Sequence, residues 1–357
     1  MYMKPLFFFC LLSLSLSCKQ DDNTPAPPPP ASKLEIIGAD ASYVPEIRKT
    51  GFTVKNAAGQ TEDMLVTLQK AGVNTIRLRL WHTPPGGHSG FEEVKDFTKE
   101  IQALGLKVLL TVHYSDSWAD PGKQTKPTAW KSASMQSLKD SVYQYTKRIA
   151  LEIKPEYIQI GNEINAGLLW PEGSVSNPTQ MNALLSEGIR AVREHAPNTQ
   201  IMIHYAGHQQ AAWFFEQVKS LDYDMIGLSY YPIWHGKDTA LLQTNMTNLA
   251  NKYNKKMVIA ETAYPFSLGW NDNTNNIIGQ TDQLLPGFPA TPSGQKAFVS
   301  MIKSLENSTP KYAGFCYWGG EWVAFKGNAS TEGSNWENQA FWGFDRGAMD
   351  VLNGYGN

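Results

Sequence analysis

The chain has 357 residues, 42% of them hydrophobic and 18% charged, enough apolar material for one large core or two modest ones and too much for disorder. Its formal charge of -2 comes without a Lys/Arg-rich run or basic stripe, which excludes nucleic acid as a partner and points to a neutral ligand. Eleven Trp and fifteen Tyr combine flat apolar faces with polar tips, and their plainest use is an aromatic core.

The first element is MYMKPLFFFCLLSLSLSC, residues 1–18. One early Lys precedes an apolar stretch from Leu6 to Leu16 that is too short to span a bilayer and fits a secretory signal. Its end, LSLSC, resembles the lipobox of bacterial lipoproteins, although Ser15 stands where Leu is usual. The resemblance makes residues 1–17 a signal peptide, with Cys18 lipidated and inserted in the membrane. The polar and Pro-rich KQDDNTPAPPPPAS then serves as an extended tether ending at residue 33. Lys19, Asp21 and Asp22 resemble a surface-export signal of Bacteroides-type lipoproteins. The expected location is the outer membrane or cell surface, with simple secretion as the alternative. Apart from Cys10 and Cys18 only Cys316 remains, so the mature domain has no internal disulfide and depends on its core.

From Leu34 onward, short apolar runs alternate with longer amphipathic ones. The strand candidates span 34–40, 73–81, 106–114, 156–163, 199–206, 224–231, 256–264 and 312–320. Between them, segments such as 61–72, 91–105 and 135–153 place apolar residues at three- and four-residue spacing, as helices do. Gly72 and Gly105 stand where helix C-caps belong. Apolar runs alternating with helices indicate a parallel sheet covered on both faces. Eight such units over 34–357 predict a single (β/α)8 TIM barrel, with a doubly wound open sheet as runner-up. No GxGxxG follows the first strand, which weakens that alternative.

Barrel active sites form at the C-terminal ends of the strands. Those ends carry Asp40; Arg77 and Arg79 with Trp81 and His82; His113 and Tyr114; Asn162 and Glu163; His204; Tyr230 and Tyr231; Glu261 and Tyr264; and Trp318 with Glu321. Either glutamate alone could be one half of a structural ion pair with Arg77 or Arg79. Both together, on strands four and seven, face each other across the barrel mouth. Two opposed carboxylates suit glycoside hydrolysis, one as proton donor and the other as nucleophile or base. The acid needs an apolar or like-charged setting, whereas the nucleophile needs a cation or hydrogen-bond donors, which Arg77 or Arg79 and Tyr231 can supply. Strand alternation turns Asn162 away from Glu163 unless the strand end is bulged. No GxSxG, HExxH, paired CxxC or Walker-type loop is present. The seven histidines are scattered, and each of His82, His113 and His204 fits a substrate-contact or a structural role.

The stretches IIGADASYVPEIRKTG, GVNTIRLRLW, LLTVHYSDSWADPGKQTKPTAW, IQIGNEINAGLLWPEG and IAETAYPF resemble glycoside hydrolase family 53, the endo-β-1,4-galactanases, over residues 34–350. The resemblance implies a retaining mechanism with Glu163 as acid/base and Glu261 as nucleophile, their carboxyl groups about 5 to 5.5 Å apart. It places Asp40, Arg77, His113, Asn162, Tyr231 and Trp318 around the scissile bond, with Trp118, Trp170 and Trp234 as stacking platforms. It implies galactan as substrate; the expected state is a monomer. It also implies a calcium site between the loops after strands seven and eight, where Asp272, Asn276, Ser334 and Glu337 offer oxygen ligands. Trp270 stands there in place of another Asp and Glu337 in place of a shorter acid, which leaves an Asn-rich hydrogen-bonded loop as the alternative. A non-catalytic glycan-binding lipoprotein and a glycosidase acting on another β-1,4-glycan are the rival functions.

Overall fold

Eight parallel strands close into a barrel in which each pairs with its chain neighbours and the last returns to the first. The computed structural model describes residues 34–356 together with Met1 and Tyr2. Beyond Tyr2, the expected signal and tether, and Cys18 with them, lie outside the described residues. The strands are β1 (Ile36–Asp40), β2 (Thr75–Leu80), β3 (Lys107–Val112), β4 (Tyr157–Ile160), β5 (Gln200–Ala206), β6 (Met225–Ser229), β7 (Lys256–Thr262) and β8 (Tyr312–Tyr317). All eight fall inside the predicted runs, each shorter by one to four residues in total. The (β/α)8 expectation therefore holds, and the open sheet does not.

The strands are apolar throughout because both of their faces are covered. One set of side chains, including Ile76, Leu78, Ile158, Ile201 and Ile203, packs outward into the main core. The alternate set, among them Ile36, Leu109, Tyr157, Met202, Met225 and Val258, plugs the lumen. The outer layer includes α1 (Val44–Lys49), α2 (Met64–Lys70), α3 (Phe91–Ala103), α4 (Met135–Glu152), α5 (Pro178–His195), α6 (Ala211–Gln217), α7 (Pro232–His235), α8 (Thr239–Tyr253) and α9 (Pro292–Ser304). Asp63, Ser134, Asn177, Asp238 and Thr291 cap their helices by accepting first-turn backbone N–H groups. Gly72 and Gly105 follow α2 and α3 with φ of 90° and 75°, as their positions in the sequence predict. The segment read as helix from residue 61 begins instead with Thr61–Glu62, paired with Val54–Lys55 in a small hairpin.

Loop length identifies the working face. Helix-to-strand connections such as 71–74 and 104–106 are short, whereas strand-to-helix connections run over 113–134, 161–177 and 263–291. The segment after β8 crosses to the loop after β7 through backbone bonds from Asn273 to Ser330 and from Ile277 to Asn335. The long loops therefore wall the C-terminal ends of the strands, where a barrel places its chemistry.

Candidate active site

Arg77 anchors the site. It points into the lumen from β2 and is 1% exposed. Its Nη1 donates to Asp40 at 3.0 Å, and its Nη2 donates to Glu261 Oε1 at 2.5 Å and to Asn162 Oδ1 at 3.0 Å. The other oxygen of Glu261 accepts from the Tyr231 hydroxyl at 3.0 Å. Burial raises the pKa of Glu261, while the charge of Arg77 and the Tyr231 hydrogen bond oppose that rise. Glu261 reaches this position through a register shift between β6 and β7, where Leu228 pairs with Ile259 but Ser229 pairs with Glu261. The bulge re-aims a side chain that strict alternation would point outward beside the lumen-facing Ala260.

Glu163 is brought in by a different distortion. Gly161 has φ of 90° and Glu163 itself has φ of 45°, so the chain leaves β4 in a left-handed conformation that glycine makes accessible. Alternation ends there, and Asn162 also turns inward, its amide nitrogen donating to Ala119 O at 2.8 Å. Part of Glu163 reaches the cleft, but its carboxyl is enclosed and accepts from the Ser229 hydroxyl at 2.5 Å. Burial, then the charge of Glu261, pushes its pKa up to about 8, against the pull of the Ser229 bond and the charge of Arg77. One carboxylate oxygen each of Glu163 and Glu261 and a ring nitrogen of His204 lie within 4.8 Å of one another.

Above the carboxylates opens a cavity of about 550 Å³ lined by aromatic rings, within the usual size range of ligand clefts. His113 forms part of its wall. Its Nδ1 accepts from the Ala119 amide at 3.0 Å, so the proton sits on Nε2. Burial, followed by the charges of Arg77 and Arg79, holds its pKa well below 6.5 and keeps it neutral. Arg79 lies over the rings of Tyr43, Trp118 and Trp81 at 4.1, 4.5 and 4.9 Å. Trp318 and Trp234 line the same cleft, the latter 54% exposed and edge-on to Tyr231.

Comparison with known proteins agrees with this geometry. The family model for Glycosyl hydrolase family 53 matches residues 36–354. The chain belongs to that family. Arabinogalactan endo-beta-1,4-galactanase of Cellvibrio japonicus is 34% identical over 339 residues, covering 90% of this chain and 87% of the relative. The family 53 catalytic domain of Ignisphaera aggregans superposes with a TM-score of 0.85 at 36% identity, covering 91% of this chain and 97% of that one. A structure from a study of two fungal beta-1,4-galactanases gives a TM-score of 0.79 at 27% identity, covering 90% and 99%.

Two residues expected around the substrate sit elsewhere in this family 53 barrel. Asp40 is 3% exposed beneath Arg77 and accepts from it and from the Ser42 amide, so it holds the arginine without lining the cleft. Trp170 is half-buried outside the cleft lining, its ring N–H donating to Ala166 O at 2.9 Å and its backbone N–H to Gln124 O at 2.8 Å. His82 packs against Trp130 and Tyr145, also away from the cavity. The hydroxyls of Tyr230 and Tyr264 bond to Gly236 O and Phe288 O and serve the scaffold.

Other cleft residues were not legible as such. Trp336, in the SNWENQ stretch expected to hold metal, forms the cleft wall at 4.6 Å from Trp318, and Trp322 continues it. Ser229, the partner of Glu163, is the last residue of β6 and has no motif of its own. Alternation from the lumen-facing Met225 turns it inward.

In the loops after β7 and β8, both oxygens of Asp272 accept backbone amides, from Thr274 and Ser334. Ser334 Oγ donates to Trp322 O, and Glu337 Oε1 accepts from the amides of Asn271 and Asp272. Glu337 Oε2 and Asn276 Oδ1 are buried without a hydrogen-bond partner. Burial and the nearby charge of Asp272 raise the pKa of Glu337, and among the described residues no Lys or Arg pairs with either acid. An uncompensated buried acid pair with two free oxygens fits a hard, oxygen-seeking cation. Trp270 is 49% exposed and offers such an ion no side-chain oxygen.

Proposed function

We propose that this chain is a retaining endo-β-1,4-galactanase that cleaves galactan, including the backbone of type I arabinogalactan. The supporting observation is the carboxylate pair, with oxygens within 4.8 Å and contrasting surroundings. Nearest oxygens within 4.8 Å favour the retaining arrangement, with carboxyl groups about 5 to 5.5 Å apart, over the inverting one at about 6.5 to 9.5 Å. Glu261, held ionised by Arg77 and Tyr231, attacks the anomeric carbon. Glu163 gives its proton to the departing glycosidic oxygen. Now ionised, Glu163 takes a proton from water, whose oxygen displaces Glu261 and restores both groups. The neutral His113 donates from Nε2 to a sugar hydroxyl. Galactose has an axial hydroxyl that leaves one ring face apolar, and the Trp-lined cleft suits that face. The relatives named as galactanases support the same substrate.

The test is reducing-sugar release from β-1,4-galactan, mannan, xylan and cellulose, with NMR identification of the first anomer formed. The expected result is galactan activity with β product, abolished in Glu163→Gln and Glu261→Gln. Galactan activity surviving both substitutions, or α product appearing first, would refute the mechanism.

The calcium reading follows from the free oxygens of Glu337 and Asn276 with Asp272 and Ser334 beside them. Calcium there would cross-link the two loops and stabilise the Trp336 wall. Chelation is expected to lower the melting temperature, and calcium, not magnesium, to restore it; an unchanged melt would leave the hydrogen-bonded loop as the explanation. Lipid on Cys18 would place the enzyme on the cell surface, and a Cys18→Ala chain is expected in the soluble fraction.

A further inference from the structure

Glu163 has two carboxylate oxygens, and acid catalysis needs its proton on the one facing the substrate. Its backbone N–H points at His204 Nδ1, 3.4 Å away. His204 Nε2 lies 2.9 Å from Ser229 Oγ, and Ser229 Oγ lies 2.5 Å from Glu163 Oε1. The contacts start and finish on the same residue. His204 and Ser229 are both fully buried, so water does not compete for these groups.

The donors set a direction. An amide N–H can only donate, and among the described residues the acceptor that Glu163 N–H meets is His204 Nδ1. Buried amides are almost always satisfied, so Nδ1 carries the lone pair and Nε2 the proton. Asn162 Oδ1, itself an acceptor, also lies 3.2 Å from Nδ1 and would favour a proton there, but it is already satisfied by Arg77, whereas the Glu163 amide meets no other acceptor among the described residues. Burial, then the charge of Arg77, holds His204 well below its ordinary pKa and keeps the ring neutral. Nε2–H therefore donates to Ser229 Oγ. The single hydroxyl proton of Ser229 is left for Glu163 Oε1.

We propose that His204 and Ser229 are positioning residues that keep Oε1 occupied as an acceptor, so that the catalytic proton of Glu163 resides on Oε2. The inference rests on Glu163 being the acid/base. In the first step Oε2–H passes to the leaving oxygen while Ser229 stays bonded to Oε1. In the second, the carboxylate left behind keeps that bond, and Oε2 takes the proton from water. No proton crosses the Ser229 and His204 links, and the imidazole keeps one tautomer throughout. The charged groups acting on Glu163 are Glu261, Arg77 and Asp120, all left unchanged when Ser229 is replaced.

The experiment compares the parent chain, Ser229→Ala, Ser229→Thr and Glu163→Gln on two substrates. These are galactan, whose leaving group needs a proton, and a dinitrophenyl β-galactooligoside, whose leaving group does not. In Ser229→Ala, kcat/KM on galactan is expected to fall ~10-fold, while that on the aryl substrate stays within about 2-fold. Loss of a hydrogen bond to the ionised form moves the alkaline limb up by about one pH unit. Ser229→Thr returns both readouts toward the parent. Nitrogen-15 NMR of the parent, which needs no variant to fold, is expected to show His204 protonated on Nε2. Protonation on Nδ1, a parent-like Ser229→Ala, or equal losses on both substrates each overturn the proposal. An inactive Glu163→Gln beside a parent-like Ser229→Ala rejects the ring alone. A fully active Glu163→Gln rejects the acid/base reading and the proposal with it.

Discussion

Glu35 and Glu163 are the same side chain at opposite poles of one barrel, and their surroundings shift them in opposite directions. Just before β1, Glu35 pairs with Lys256 Nζ at 2.5 Å and accepts from Gln200 at 2.6 Å. Burial pushes its pKa up, but those bonds and the lysine charge outweigh it, and the net shift is downward. At the other pole Glu163 has a hydroxyl for a partner and a second carboxylate for a neighbour, and its pKa rises to about 8. Where an acid is neutralised by a cation it supports the fold. Where the cation is assigned to the other carboxylate, as Arg77 is to Glu261, the remaining acid keeps a proton to give.

The comparison breaks most visibly on substitution to the uncharged isostere. Glu261→Gln is expected to lower kcat on galactan by at least ~10⁴-fold, since the proposed mechanism then loses its bond-forming group. Glu35→Gln is expected to leave kcat unchanged and cost roughly 1 kcal/mol of stability in denaturant titration. Comparable kinetic losses at both poles would remove the distinction.

The cations sharpen it next. Arg77→Met leaves Asp40 and Glu261 buried without their partner, and is expected to destabilise the fold by about 3 to 5 kcal/mol as well as suppress activity. Lys256 is itself 41% exposed in its side chain, so Lys256→Met is expected to cost no more than about 1 kcal/mol. Denaturant midpoints for the two variants read the difference directly.

The poles also carry opposite pH signatures. In the proposed mechanism Glu163 starts the reaction protonated, so kcat/KM is expected to fall as pH rises through about 8. The acid limb follows Glu261, whose pKa is raised above 4.5, and lies above that value. For stability, the folded state holds the Glu163 proton between the ordinary 4.5 and about 8 while the unfolded chain has lost it. Glu163 therefore lowers stability as pH climbs through that window, and Glu163→Gln is expected to melt above the parent at pH 9. Glu35, shifted down, contributes its stability above the ordinary value and loses it as pH falls below. The Glu35→Gln deficit is accordingly expected to close in acid.

Much of this was legible in the sequence. The eight apolar runs are barrel strands because both faces are buried, and each ends near the residue predicted to open into the cleft. Glu163, Glu261, Arg77 and Tyr231 were identified because strand ends converge whatever the loops do. Less legible was how the glutamates turn inward. Gly161 with its positive φ and the register shift beside Ala260 are backbone events that side-chain periodicity does not record. Ser229 was missed because a serine closing an apolar strand carries no motif, although alternation turns it inward, and Trp336 because its place depends on a crossing between loops more than fifty residues apart. The placement of Trp170 was illegible for another reason: the composition of a loop says which residues it contains and not which way they face.

That last contrast gives the smallest effect. Trp234 stands over half exposed at the cleft rim, whereas Trp170 is half-buried in the loop after β4. Trp234→Ala removes a stacking face worth about 0.5 to 1.5 kcal/mol beyond its area, so KM on galactan is expected to rise about threefold to tenfold with kcat retained. Trp170→Ala is expected to leave KM within about twofold and cost roughly 2 kcal/mol of stability. A link does exist from Trp170 to the site. Its amide bonds Gln124 O, and Gln124 Nε2 bonds Asn162 O at 2.8 Å, but both are main-chain or glutamine contacts that the alanine preserves. If Trp170→Ala lowered kcat instead, the ring would be holding Asn162, and through it Arg77, in place. Trp170→Phe separates the cases: it retains the packing and loses the bond to Ala166 O, so parent-like kinetics and stability in that variant assign Trp170 to the scaffold.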